Sequence, residues 1–341
     1  MKALRLTAPR NLEYAEVPYP GEPGSDEVLV RTHRVGICGT DISAYLGKFP
    51  FFSYPRIPGH ELGIEVLQAG ANVKNLQPGD RCAVEPYINN IESFASRRGL
   101  SNCCQDLQVL GVHTDGGLRE QFVIRADKLH VSSSLSFEQL ALVETLAIGC
   151  HAIHRAAPSP GENLLIVGAG PIGLAVIEFA RLADSEISVM DMNADRLEFC
   201  RQAYGLNSTI HYQSAGAELA WMREITGGEL YPIVIDATGS AASMGKALEY
   251  VAHGGTLVYV GITTQDISFP HRLMHAREMT LKSSRNALPD DFRRIIRLIE
   301  QGRIDTQPWI THRTSFAELS KVFGSFTKPE TRVIKAMVAL P

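Results

Sequence analysis

The sequence predicts an α/β protein of two domains, one β-rich and barrel-like in its strand pattern, the other a doubly wound parallel sheet. Three observations carry this expectation. The 341 residues are too many for one ordinary core and suit about two. The first third is a series of short alternating segments broken by turns, whereas from about Pro160 the pattern becomes strand, helix, strand, helix. The apolar runs of that second part are short and nearly continuous, as strands buried on both faces of a parallel sheet require.

Composition narrows the class. With 45% hydrophobic and 21% charged residues, the chain reads as a soluble globular protein. A formal charge of -4 gives no general field for nucleic acid or an anionic membrane, so neither is expected as a partner. An anionic substrate then needs its own local Arg or Lys. No run of about eighteen apolar residues occurs, and Met1-Lys2-Ala3-Leu4 leads into alternating sequence without a signal-peptide core, which predicts a cytoplasmic protein. The six cysteines, at positions 38, 82, 103, 104, 150 and 200, form no disulfide framework and fit a reducing compartment.

In the first domain, residues 27–32 and 63–67 alternate at period two, and Pro20-Gly21-Glu22-Pro23-Gly24 and Gln77-Pro78-Gly79-Asp80 are turns. Between them lie Gly36-Ile37-Cys38-Gly39-Thr40-Asp41 and Pro58-Gly59-His60-Glu61. A thiolate, an imidazole and a carboxylate are the side-chain types that hold Zn²⁺, and a catalytic site uses three and leaves one position open. Thr40 offers a hydroxyl two residues from the thiol, where it can pass a proton. Asp41 can orient His60 through its second ring nitrogen. Taken singly, Cys38 or His60 reads rather as a core residue. Gly39 and Gly59 favour the metal site, because a glycine beside a ligand marks a sharp turn or a close approach to the backbone.

The second domain opens with a strand at residues 162–167 that runs into Gly168-Ala169-Gly170-Pro171-Ile172-Gly173 and a helical pattern over 174–182. This is the G-x-G-x-x-G context of dinucleotide binding, with Gly168, Gly170 and Gly173 as the three glycines. The next strand, 186–190, ends at Asp191, whose carboxylate can accept from adenosine ribose hydroxyls and repel a 2′-phosphate, which favours NAD over NADP. Arg196 is open to three readings: flanking the adenine, pairing with Asp191, or lying on a helix surface. A strand at 232–236 leads to Thr238 and Gly239, a helix follows over 242–252, and a strand at 255–260 ends at Gly261. Thr238 and Gly261 fall at strand C-termini, where a cofactor lies in such sheets, although the glycines also serve as loop punctuation. A helix at 292–301 and a last strand at 332–338 complete the chain and are assigned back to the first domain.

Gly36 to Asp41, Gly59-His60-Glu61, Gly79-Asp80-Arg81, Glu144 in Val143-Glu144-Thr145-Leu146-Ala147, and the glycine motif with Asp191 follow one another as in a known family. Together they resemble the zinc-dependent medium-chain dehydrogenase/reductase superfamily along essentially the whole chain. Glu144, Gly111 to Gly117 and Ser284-Arg285-Asn286-Ala287 are similar to its polyol and sugar-acid branch. The resemblance implies a GroES-like catalytic domain in two segments, 1–150 and 286–341, around a Rossmann domain at 151–285. It implies a homo-oligomer, dimer or tetramer. Cys38, His60 and Glu61 are then zinc ligands, and Glu144 either binds zinc directly or holds the zinc-bound water. The implied reaction oxidises a secondary alcohol by hydride transfer to NAD, with Thr40, Glu61 and Glu144 in catalytic roles and Thr40 first in the proton relay. The implied substrate is a hexonate oxidised at C5, L-gulonate to D-fructuronate first and L-galactonate to D-tagaturonate second, with a neutral polyol such as sorbitol as the alternative. Tyr45, His113 and Arg285 are the substrate candidates, Arg285 because a guanidinium can bind a carboxylate bidentately. Arg285 is equally open to a nicotinamide contact or an ion pair. Zinc-free quinone reductases lack this ligand set, and a non-enzymatic NAD sensor that kept the fold is expected to have lost it.

The resemblance also predicts an absence. The four positions that hold a structural zinc with cysteines in many family members are here Asn90, Ser93, Ser96 and Cys104. Amide and hydroxyl oxygens replace thiolates poorly. One catalytic ion per chain is therefore expected and no structural zinc, with residues 89–102 either mobile or ordered otherwise, in part by hydrogen bonds among Asn89, Asn90, Ser93 and Ser96 or by packing of Phe94 on a neighbouring subunit.

Overall fold

The computed structural model describes residues 1–214 and 216–341. The chain divides into two compact units, Met1–Glu144 with Leu288–Pro341, and Thr145–Ala287. It passes from the first to the second inside the helix Val143–Ala156. Among the described residues no helix is long and apolar enough to cross a membrane.

The first unit is built on a seven-stranded sheet in the order Ile310–Ser315, Lys335–Ala339, Glu27–Ile37, Glu61–Ala69, Arg81–Val84, Leu129–Val131, with Gln121–Arg125 also paired to Glu27–Ile37. The strand Glu27–Ile37 is its axis. One edge pairs with Glu61–Ala69; the other is shared by Gln121–Arg125 along its first half and by Lys335–Ala339 along its second. Val28, Val30 and Thr32 point into the core in the alternation expected of a half-buried strand. A register shift between Thr32 and Arg34 breaks that phase, and Val35, Gly36 and Ile37 are all buried. The strand therefore runs buried up to Ile37 and leaves Cys38 half-buried at its end.

The chain's tail returns to this axis. Lys335–Ala339 lies antiparallel to it, pairing Ala336 with Ile37 and Ala339 with Arg34. The expected strand at 332–338 starts three residues late because Arg332 adopts a left-handed conformation, φ 51°, at the end of a 3-10 turn. The helix Pro289–Glu300 begins at Pro289, where Asp291 caps the Leu288 amide at 2.9 Å, and buries Phe292, Ile295, Ile296 and Ile299.

The second unit is a six-stranded sheet, all parallel, in the order Thr209–His211, Glu186–Asp191, Asn163–Val167, Tyr231–Asp236, Val251–Tyr259, Thr280–Ser283. Numbered along the chain this is 3-2-1-4-5-6, the doubly wound order whose direction reverses beside the first strand. The helix expected at 242–252 is shorter. It runs Ala241–Lys246, tightens into a 3-10 turn at Ala247–Tyr250, and gives way to a strand at Val251. Val251 is claimed by pairing with Tyr231, and the sheet ladder overrides helical spacing.

A buried ionic cluster lies where the strand Arg81–Val84 pairs with Leu129–Val131. The Lys128 Nζ lies 2.7 Å from Glu85 Oε1, and His130 Nε2 lies 3.2 Å from Glu85 Oε2, with all three residues at most 5% exposed. Removing one member of a buried ion pair strands the other charge. Lys128→Met is therefore expected to destabilise the protein by about 3–5 kcal/mol, read as an earlier transition in denaturant unfolding; an unchanged midpoint would show that Glu85 is compensated elsewhere.

Candidate functional site

Cys38 ends the axial strand and caps the helix Gly39–Tyr45, whose first turn returns the Asp41 carboxylate to the Cys38 amide at 2.9 Å. His60 immediately precedes the neighbouring strand, whose first residue, Glu61, stands opposite Gly36. The ligand atoms of Cys38, His60 and Glu61 all lie within 4.8 Å of one another. Gly36 makes this possible. A Cβ there would sit 2.1 Å from Glu61 Oε2. Gly39, by contrast, has open space around it, so of the glycines singled out beside the ligands only Gly59 is constrained, with φ 98° and Val35 Cγ1 3.0 Å from where a Cβ would be.

The His60 segment is set by the glycine-rich stretch from Gly111 to Gly117. Gly117 and Leu118 donate their amides to Gly59 O and Pro58 O at 2.9 and 3.1 Å, and Asp115 accepts from the Ile57 amide at 3.0 Å. A side chain at Gly116 would collide with Gly59 O at 2.4 Å, so backbone lies directly on backbone. His113 is exposed and its Nδ1 accepts from the Val109 amide at 3.0 Å, which gives it a role in holding this turn.

Two partners of the site lie far away in sequence. Lys335, 1% exposed, places its ammonium 2.5 and 2.7 Å from the two oxygens of Glu61. Tyr87 donates its phenol to Glu144 Oε1 at 2.5 Å, and both side chains are buried. Glu144 is not part of the Cys38, His60 and Glu61 group, but it occupies the first turn of its helix, where the N-terminal dipole favours a carboxylate. Thr40 is half-buried in the first helical turn after Cys38; Tyr45 packs on Phe323 at 4.9 Å between ring centres.

The Asp41 to His60 contact differs from the hydrogen bond expected. Asp41 Oδ1 lies 3.8 Å from His60 Nδ1, beyond hydrogen-bond range, because its oxygens are engaged by the Cys38 and Gly59 amides. Nδ1 is a buried nitrogen without a hydrogen-bond partner. Charge tells the same story. Burial pushes the Asp41 and Glu144 carboxyls above their ordinary range. Burial opposes the imidazolium of His60, yet Asp41, then Cys38 and Glu144, hold its pKa well above the ordinary imidazole value. In Tyr87, burial and then the Glu144 charge raise the phenol far above its usual range, so it stays a donor. Burial thus makes charge costly in this crowded acidic set. A dication resolves this arrangement, and cysteine, histidine and carboxylate are donors that zinc accepts.

In the second unit, Gly168 turns with φ 101° at the end of the first strand, and a Cβ on Gly173 would lie 1.8 Å from Gly168 O. Pro171 and Ile172 begin the helix Pro171–Leu182. Asp191 accepts from the Ala169 and Asn193 amides at 2.6 and 2.7 Å, tying the second strand's end to the glycine turn. Arg196 is exposed, with its guanidinium beside Gly170. Thr238 donates to the buried Asp236 carboxylate through its amide and hydroxyl, and Gly239 lies against Gly261, where a Cβ would meet Gly239 N at 2.2 Å. The predicted residues Gly168, Thr238 and Gly261 therefore meet at the strand ends where the sheet order reverses. Arg285 is exposed in this unit.

The lobe expected to lack zinc is tied by its own polar groups. Asn89 Nδ2 and Ser93 Oγ both donate to Ser96 Oγ at 2.9 Å, and the Asn90 amide donates to Cys104 Sγ at 3.3 Å. Phe94 is exposed, with Arg98 over its ring.

Metal binding by this site must compete with the His60 proton. Because that proton is held more tightly than on an ordinary imidazole, with its pKa of about 6.5, zinc affinity of the stripped protein is expected to begin falling at a pH above that value as acidity increases. Chelator competition across pH 5 to 9 measures it; an affinity independent of pH down to about 6.5 would remove His60 from the ligand set.

Comparison with known proteins agrees with this geometry. Residues 24–134 match the alcohol dehydrogenase GroES-like domain, and residues 171–301 match the zinc-binding dehydrogenase domain. The chain is 37% identical to L-galactonate-5-dehydrogenase of Escherichia coli K12, covering 99% of this chain and 98% of that protein. It is 30% identical to human sorbitol dehydrogenase, covering 96% and 92%. Its fold superimposes on a short chain alcohol dehydrogenase from E. coli CFT073 complexed with NADH, at 25% identity, TM-score 0.91 and 99% coverage of both chains. It also superimposes on a zinc-binding dehydrogenase from Sinorhizobium meliloti 1021 bound to NADP, at 27% identity, TM-score 0.88 and coverage of 99% and 98%. The chain belongs to the zinc-type medium-chain dehydrogenases, close to the branch that contains L-galactonate-5-dehydrogenase.

Proposed function

We propose that this protein oxidises the C5 hydroxyl of a six-carbon aldonate with NAD, taking L-gulonate to D-fructuronate or L-galactonate to D-tagaturonate. The observation that carries the reading is the group of half-buried Cys38 with buried His60 and Glu61, beside Glu144, in a chain similar over its whole length to an L-galactonate-5-dehydrogenase. Cys38 and His60 would hold zinc, with Glu61 or Glu144 as the third ligand. When bound, the ion supplies Lewis acidity that makes the substrate hydroxyl easier to deprotonate.

The chain's own residues do the rest. Asp41 fixes the turn that presents Cys38 and keeps negative charge beside His60. Lys335 holds both oxygens of Glu61 and keeps that buried charge balanced. Thr40, half-buried in the helical turn after Cys38, would receive the proton of the substrate hydroxyl and pass it toward solvent; NAD, when bound, would supply the hydride acceptor. Asp191 favours NAD, since a ribose 2′-phosphate would meet its carboxylate. Arg285 would take the far carboxylate of the substrate.

The test is absorbance at the reduced-nicotinamide band with NAD or NADP and a panel of L-gulonate, L-galactonate, sorbitol and galactitol. An aldonate with NAD is expected to give the highest kcat/KM, and Asp191→Ala is expected to narrow the preference over NADP. Better turnover of neutral polyols would replace the sugar-acid reading, and no reduction with any compound would favour an NAD-binding protein without catalysis.

We also propose that the lobe at residues 89–104 holds no zinc, because its hydroxyls and amides hydrogen-bond one another where thiolates would be needed. Protein purified without chelator is expected to carry about one zinc per chain. A value near two, falling to one in Cys104→Ser, would overturn this.

A further inference from the structure

We propose that Tyr87 is a positioning residue for Glu144: its phenol takes one carboxylate oxygen and leaves a single, fixed oxygen to serve the metal site. The proposal rests on the zinc reading above and goes beyond it by naming what aims Glu144. The terminal torsion of a glutamate is broad, so packing alone does not choose the carboxylate's orientation. Here a buried phenol at 2.5 Å from Oε1 chooses it.

Tyr87 can do this because it is itself held on every side. Its backbone pairs with Val109 in the short ladder of Tyr87–Ile88 and Gln108–Val109. The preceding carbonyl, Pro86 O, accepts from the Leu110 amide at 2.9 Å. Its ring meets Phe292 edge-on at 6.2 Å, and Phe292 in turn stacks on His130 at 4.9 Å. His130 and Lys128 both bind the carboxylate of Glu85, two residues before Tyr87, and the Glu85 amide donates to Lys128 O at 2.8 Å. A buried cluster of this kind is weak evidence for stability, since apolar replacements often do as well. What it does is fix residues 85 to 87, and with them the point from which the phenol reaches Glu144. Partners one step behind metal ligands tune affinity in this way.

The full-length enzyme loaded with zinc tests the idea through Tyr87→Phe, which keeps the ring against Phe292 and removes only the hydroxyl. Zinc affinity measured by chelator competition is expected to fall by roughly 10- to 100-fold, and the visible spectrum of the cobalt-substituted protein is expected to shift. In a Glu144→Gln background the same change is expected to alter affinity by no more than about twofold, because the residue it acts through no longer presents a carboxylate. A Tyr87→Phe affinity within about twofold of the parent, or an equal loss in both backgrounds, would make Tyr87 a packing residue only. Should Tyr87→Phe not fold, the parent labelled with 3-fluorotyrosine replaces it: chelation of zinc must move a fluorine resonance that Glu144→Gln also moves, and no shared resonance overturns the proposal. A parent protein that binds no zinc overturns the metal reading itself, which is a separate result.

Discussion

The structure depends on burying the Glu61 carboxylate between two strands. Glu61 is fully buried, opposite Gly36 on the axial strand and within 2.7 Å of the Lys335 ammonium. Each feature answers a cost. The side chain of any other residue at position 36 would collide with the carboxylate, and without Lys335 the charge would stand uncompensated in the core. Meeting both demands brings the tail of the chain back onto the strand that ends at Cys38. The fold's two-segment first unit and the integrity of the ligand group are thus one requirement.

Around that pair the charge remains unbalanced toward acid. Asp41, Glu61 and Glu144 are buried near one lysine and one histidine; burial raises the Asp41 and Glu144 carboxyls, and Asp41 raises His60 against its own burial. Such an arrangement is poor as a core and suitable as a cation site, which is why the orphaned His60 nitrogen and the raised carboxyls point the same way. The second unit uses carboxylates differently. Asp191 and Asp236 stand at strand ends and accept from the amides of adjoining turns, so they shape the glycine loops rather than concentrate charge.

What sequence could show follows from separation along the chain. Cys38, His60 and the glycine motif were legible because their neighbours supply the context: a strand before, a helix after, ligand types in succession. The parallel order of the second unit followed from its continuous apolar runs. Lys335 was not legible. It lies 274 residues from Glu61, in a segment where a lysine reads as a strand's solvent face. Tyr87 was hidden for the same reason, since a tyrosine after a proline signals only a turn or a short strand. Gly39 adjoins a ligand in sequence, yet Gly36 is the glycine that Glu61 needs, because proximity to a ligand in sequence is not opposition across a ladder. The helix expected to reach residue 252 failed where pairing of Val251 outweighed apolar spacing.

Lys335, Tyr87 and Gly36 share a property that bears on function. Donors such as Cys38 and His60 sit in segments that local chemistry can identify, whereas the groups that aim and balance them come from other strands of the same sheet or from loops packed behind it. The glycine-rich stretch from Gly111 to Gly117 joins the two categories. Its residues attract notice as a pattern, yet their work is to lie flat against Pro58 and Gly59 and so fix where His60 begins. A shift of the Pro58 to Gly59 backbone would move His60 itself without any ligand changing. The position of this donor therefore rests on backbone packing, where no single side chain announces it.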